Sequence, residues 1–285
     1  MDKVKILVAC HKPAEVYRDN VYTPIHVGRA VSKCTDKMQD MIGDDTGDNI
    51  SAKNPFYSEL TAQYWLWKNV HDVEYVGLCH YRRYFKHLIT EDNIDDILGD
   101  HYDVLEIKPL REEIDMVNRL MSWTSREDTY IFVKCFEKMH PEDYRTFCHF
   151  LYGHKIVPYN MFLMKKSLFD DFAKWQFDVL FEMEKYVRLS QYSRQRRLYG
   201  YFSEMLLPIY VEARHLRVKY DDMITYPETG EIWPTYTLKQ RLRMIWSQLF
   251  LRMAHPHLLH REPKEYQFDF NAVEVGMRQD GIIIK

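Results

Sequence analysis

Glycine is scarce in this chain, with ten among 285 residues, and no GxGxxG run occurs. The phosphate-cradling fingerprint of a flavin or dinucleotide site is therefore missing, and chemistry built on such a cofactor is disfavoured. The five cysteines, at 10, 34, 79, 135 and 148, form no CxxC pair, and the thirteen histidines form neither HExxH nor a Cys/His cluster at metal-ligand spacing. Three of the cysteines lie in or beside apolar runs, which reads as reduced, buried thiols of a cytosolic protein. No apolar run approaches the ~20 residues that span a bilayer. The start, MDKVKILVAC, passes directly into a strand pattern without signal-peptide character. Net charge is −3, so no basic excess exists to release counterions, and nucleic acid is not an expected partner. Repeats and low-complexity runs are also missing. The expected setting is cytoplasmic, at most peripheral on a membrane.

Aromatic residues, by contrast, are abundant: 21 Tyr, 15 Phe and 6 Trp make up 15% of the chain. Such rings suit a wide cleft on which sugars or nucleobases stack, or they build an aromatic core.

The stretch from Asp48 to Phe85 organises the rest. Ser51 is placed to cap a helix, Asn54 and Pro55 to occupy its first turn, and Tyr57, Leu60, Tyr64 and Trp67 recur at helical spacing. The helix is expected to stop near Asn69. A short apolar run, Tyr75 to Cys79, has the length of a buried strand and ends in His80-Tyr81-Arg82-Arg83. Polar groups at the carboxyl end of a buried strand are where ligands sit in an open α/β sheet, although two adjacent arginines also suit a solvated loop.

The remainder alternates strand and helix, the pattern of a doubly wound sheet. Val4 to Ala9 reads as a central parallel strand beside Tyr75 to Cys79, ending in His11 and Lys12, which form an exposed turn or a base or ribose contact. Glu142 and Asp143, after Pro141, suit the positive end of a helix running through Tyr152. Val157 to Met164 is read as a second apolar strand in which Asn160 must find a partner or face a ligand. Ser167 caps an amphipathic helix, and Ser203 and Glu204 are expected at a helix start. Pro227 to Trp233 reads as a turn. Tyr236 to Met253 is a basic amphipathic helix, suited to docking on the main domain or on an anionic membrane surface. The expected organisation is a main domain over residues 1–225 and a C-terminal extension over 226–285.

Several runs together resemble a bacterial family of capsular and exopolysaccharide synthesis, first catalogued as a domain of unknown function and later linked to galactofuranosyl transfer. They are His11-Lys12, Tyr22 to Gly28, Gly47 to Ser51, Asn54, Tyr57 to Thr61, Tyr64-Trp65, Trp67 to Asn69, Gly77 to Phe85, Tyr159 to Phe162 and Gly200 to Leu207. The resemblance covers roughly residues 3 to 225. It implies a type A-like glycosyltransferase fold, a mostly parallel α/β sheet flanked by helices, and an inverting transfer from a UDP-sugar. The acceptor would be a glycan or lipid-linked oligosaccharide. Type A enzymes commonly end the corresponding strand in Asp-x-Asp, which holds a divalent metal on the donor diphosphate. Here Arg82 and Arg83 stand instead, so the expectation is no metal and no other cofactor, with guanidinium groups taking the leaving-group charge. The same resemblance implies donor binding by His11, Lys12, Asp48, Asn49, Asn54, Glu59, His80, Tyr81, Tyr159 and Asn160, and a general base at Glu204. The competing reading is a non-catalytic nucleotide-sugar or glycan-binding subunit; a nucleotide-sugar hydrolase or mutase is disfavoured, the mutase by the missing flavin or dinucleotide fingerprint.

Overall fold

The computed structural model describes residues 2–226, 237–254 and 268–284. The chain forms two compact units that interleave in sequence. One comprises Met1–Lys108, Val157–Lys174 and Arg214–Pro234, the other Pro109–Ile156, Trp175–Ala213 and Thr235–Lys285. In the second unit the helix Asn271–Gln279, not anticipated from the sequence, packs on the helix Arg126–Met139.

The strands, in chain order, are β1 (Asp2–Cys10), β2 (Tyr22–His26), β3 (Ile42–Gly43), β4 (Val73–His80), β5 (Arg83–Phe85), β6 (Val104–Ile107), β7 (Leu110–Arg111), β8 (Lys155–Ile156), β9 (Phe162–Lys165), β10 (Val218–Asp221) and β11 (Met223–Thr225). The first unit is built on a nine-stranded sheet of order β10-β6-β9-β4-β1-β2-β3, with β5 paired to β4 and β11 to β5. Along that path every strand except β9 runs in one direction. β1 pairs in parallel with β2 and β4, β2 with β3 and β6 with β10, while β9 is antiparallel to both β4 and β6.

β1 lacks an alternating pattern because it lies mid-sheet with both faces covered: Val4, Ile6, Leu7 and Val8 have no exposed surface. Ala9 pairs with His80, so β1 and β4 are neighbouring parallel strands, as expected, and their polar continuations share the carboxyl edge of the sheet. At Gly77 the backbone of β9 approaches so closely that a Cβ would stand 2.7 Å from the Phe162 carbonyl oxygen. That approach explains a glycine in an otherwise apolar strand.

Local structure departs from the sequence reading at several places. The helix expected through Tyr57 and Trp67 is broken into Asn54–Tyr57 and Leu60–Asn69, with Ser58 at φ +52° between them. The Asn54 side-chain amide holds the break, donating to the Ser58 carbonyl at 2.7 Å and to Thr61 Oγ1 at 3.2 Å. Ser51 does not cap: its hydroxyl donates to Asp44 and accepts from the Ala30 N–H. Finally, the strand expected over Val157 to Met164 begins only at Phe162, because Tyr159 and Asn160 turn at φ +74° and +51°.

Much of the aromatic excess is core. The largest wholly buried side chains include Tyr22, Tyr57 and Tyr75 in the first unit and Phe132, Phe136 and Phe147 in the second. In the second unit Phe132 stacks on Phe202 at 4.6 Å and Phe136 on Phe147 at 4.0 Å. All five cysteines are free, four of them buried, and burial pushes the Cys10 thiol up to about 12. The amphipathic tail helix spans Leu238–Ala254, whereas the turn expected at Pro227 to Trp233 lies outside the described residues. No helix among the described residues is long and apolar enough to cross a membrane.

Candidate active site

The carboxyl edge of the sheet gathers most of the expected residues around two tyrosine rings. Pairing with β1 continues past the end of β4 through the Tyr81 N–H, which donates to the Ala9 carbonyl at 3.1 Å. Tyr81 and Arg82 form the tip of a tight hairpin, since His80 pairs with Arg83 across it. His11 lies edge-on to the buried Tyr81 ring with centroids 5.2 Å apart, and Lys12 Nζ stands 5.8 Å above that ring. The Arg82 guanidinium is 4.9 Å above it and donates to the Tyr81 hydroxyl at 2.8 Å. Arg83 lies on the other ring, 4.1 Å above Tyr159. Among the described residues neither guanidinium meets a carboxylate.

Tyr159 and Asn160 arrive here because β9 is inverted, so its start meets the carboxyl end of β4. His80 Nε2 is 2.6 Å from the Tyr159 carbonyl oxygen; a carbonyl only accepts, so Nε2 carries the proton. Asn160 is buried and donates its amide to Glu59 Oε1 at 2.7 Å, which answers the question its apolar surroundings posed. Ser58, Tyr159 and Asn160 are three of the four non-glycine residues with positive φ among the described residues. Each such conformation costs on the order of 1–3 kcal/mol and persists only where surrounding contacts over-determine it. Here that strain brings Glu59 and Asn160 together beside His80.

Other expected residues lie elsewhere. Asp48 accepts from the Tyr64 hydroxyl at 3.1 Å and exchanges backbone hydrogen bonds with the Asn69 side chain. Asn69 ends the helix that Leu60 begins, about 15 Å along its axis and toward the amino edge of the sheet. Asn49 closes a local turn, donating to the Gly47 carbonyl and accepting from the Ser51 N–H. Asn54 acts on this edge only through the Ser58 break. Glu204 belongs to the second unit and stands half-buried in the interior of the helix Leu198–Ala213, not at a helix start as expected. The positive end of a helix dipole therefore does not hold its charge, because that effect fades within the first turn.

Two buried groups escaped the sequence reading. His26, at the carboxyl end of β2, is wholly buried with neither ring nitrogen hydrogen-bonded, and burial lowers its proton affinity. Glu106 in β6 sits across from Phe162; its Oε1 has no partner, and burial pushes its carboxyl from 4.5 up to about 8. The available signal was a single acid inside an otherwise apolar strand, VLEI, all four residues of which are buried. Because the folded-state value is raised, Glu106 stabilises fully below pH 4.5 and loses that contribution as pH rises through about 8. Chemical denaturation across pH 5–8 should show wild-type stability falling by up to about 1.4 kcal/mol per pH unit. Glu106→Gln should flatten that slope, and an unchanged slope would remove the assignment.

Where β4 ends, the chain carries no carboxylate pair of the kind that holds a divalent cation. β4 runs into two cationic groups, and the adjacent acids Asp44 and Asp45, beside the end of β2, are engaged. Asp44 accepts the Gly28 and Arg29 amides at 2.7 and 3.1 Å, and Asp45 pairs with Arg29 at 3.7 Å.

The fold has a solved counterpart. The apo structure of WbbM, a bifunctional glycosyltransferase, superposes with a TM-score of 0.70 at 28% identity, over 82% of this chain and 48% of that one. This chain thus spans about half the length of the structure it matches. The sheet order and that superposition make this a type A-like glycosyltransferase fold. No curated protein matches the sequence. A family model matches residues 5–215, which include every residue of the edge described above, and the chain belongs to that family, described as a domain of unknown function, DUF4422.

Proposed function

We propose that this chain is an inverting glycosyltransferase that moves a hexose, galactofuranose or galactose, from a UDP-sugar to a growing capsular polysaccharide, exopolysaccharide or O-antigen chain. The observation that carries the reading is the pair Arg82 and Arg83, anchored on aromatic rings at the end of β4 and unpaired with any carboxylate among the described residues. Breaking a sugar–phosphate bond leaves negative charge on the diphosphate, and fixed guanidinium forks match phosphate oxygens in bidentate geometry. Glu59 and Asn160, already joined, are suited to holding sugar or ribose hydroxyls, and His11 and Lys12 to the nucleoside side. Glu204 is the proposed general base; this role rests on the resemblance to the family. No metal step is needed, so donor turnover should persist in EDTA.

A donor screen by mass spectrometry, with UDP-galactofuranose, UDP-galactose and UDP-glucose in the presence and absence of EDTA, tests the reading. Turnover of none of the three would favour the non-catalytic alternative, a nucleotide-sugar or glycan-binding subunit, for which the lack of Asp-x-Asp is the support.

The acceptor's setting is proposed from the tail. The helix Leu238–Ala254 exposes Leu238, Leu242, Ile245, Trp246, Leu249 and Met253 along one stripe, with Lys239, Arg241 and Arg243 beside it. Trp246 is 71% exposed. Basic side chains next to an apolar stripe suit the surface of an anionic bilayer. Vesicles containing phosphatidylglycerol should float the wild-type chain, and Trp246→Glu with Phe250→Glu should abolish flotation while sparing transfer to a soluble acceptor. Equal flotation of the variant would return the helix to a packing role.

A further inference from the structure

Away from the donor edge, the second unit carries another convergent group. His140, Glu142 and Asp143 bring a ring nitrogen and two carboxylates within 4.8 Å of one another. His140 closes the helix Arg126–Met139, and the turn Pro141–Asp143 leads into the helix Tyr144–Tyr152. Two acids before a helix are explained by its dipole alone. The histidine is not.

Its side chain is more than nine-tenths buried, stacked flat on Trp175 with centroids 4.7 Å apart and edge-on to Phe136. Nε2 lies 2.9 Å from the Trp175 carbonyl oxygen, which can only accept, so Nε2 bears the ring proton. In the neutral ring Nδ1 is then a bare lone pair, and it faces the acids: Glu142 Oε1 stands 3.9 Å away, beyond hydrogen-bond distance. A divalent cation seated between them would take that lone pair and the two carboxylates as ligands. Asp143 is oriented as well, its Oδ2 accepting the Trp175 indole N–H at 3.0 Å. Histidine ligands of metals nearly always donate their second N–H to a carbonyl or carboxylate, which fixes the tautomer and the ring.

We propose that His140 Nδ1, Glu142 and Asp143 bind a divalent transition-metal ion of the Zn²⁺ or Mn²⁺ class. One imidazole with two carboxylates suits these ions better than Ca²⁺, which takes an oxygen-only shell. The exposed Glu142 leaves the ion accessible from solvent. Bound there, it clips the end of the helix Arg126–Met139 to the start of the helix Tyr144–Tyr152.

Calorimetric titration of the full chain, stripped with chelator and moved to metal-free buffer, with Zn²⁺ alone and Mn²⁺ alone, is the test. One of these ions should bind once per chain and raise the melting temperature by about 5 °C or more at a hundredfold excess over Kd. Glu142→Gln, on an exposed side chain, should melt normally without metal and bind roughly tenfold or more weakly. His140→Gln should remove binding; if it fails to fold, Glu142→Gln decides. Absence of saturable binding to the wild-type chain overturns the proposal, and so does binding that Glu142→Gln leaves unchanged.

Discussion

Glu204→Gln should lower sugar transfer by roughly 10²–10⁴-fold with donor affinity unchanged, the loss expected when a general base can no longer accept a proton. Gln preserves the size and shape of the side chain, so a residue that merely packs within the helix Leu198–Ala213 would tolerate the change. Glu59→Gln should behave differently. Its Oε1 still accepts the Asn160 amide, but the charge that strengthens contacts to sugar or ribose hydroxyls is gone, so donor KM should rise roughly tenfold with a smaller effect on kcat. The two variants are informative as a pair. Wild-type turnover in Glu204→Gln together with a collapse of kcat in Glu59→Gln would move the base to Glu59. Asp48 is instead tied to Tyr64 and Asn69.

Arg82→Ala and Arg83→Ala should each reduce donor affinity or turnover by at least roughly tenfold, since one buried charge-assisted contact is worth about 1.5–3 kcal/mol. The two should differ in a second readout. Arg83 is the half-buried one and covers the Tyr159 ring, so its loss should also lower the melting temperature, whereas Arg82 at the hairpin tip should leave it unchanged. Lysine at either position keeps the charge but not the planar fork, and should recover only part of the loss. Near-normal turnover in both alanine variants would remove the diphosphate role.

The sheet was largely legible in the sequence because its central strands are short apolar runs ending in polar clusters. Val4 to Ala9 and Tyr75 to Cys79 announce β1 and β4, and their pairing brings His11 to His80. What could not be read was backbone conformation under long-range control. Nothing local marks Ser58, Tyr159 or Asn160 for positive φ, since none is glycine; the contacts that hold them come from Asn54, His80 and Glu59. Glu106 was missed because one acid in a short apolar run carries no local mark of its burial, and here β9 and β10 flank it in the sheet with its side chain buried. The aromatic excess had two readings, and core packing accounts for much of it.

The inverted strand β9 also sets the order in which this fold can assemble. β1 to β4 come from one contiguous stretch, whereas β9 joins β4 to β6 through the register Leu78 with Phe162 and Glu106 with Phe162. The Glu59–Asn160 hydrogen bond closes a loop of 101 residues. Contacts of such long sequence separation form slowly, because loop-closure entropy is lost before they contribute. On the ribosome, the first strands can pair while the chain that completes the donor edge is still being made. Pulse-labelled hydrogen exchange during refolding should find amides of β1 and β4 protected before those of β9, so that the site forms as a late step of folding.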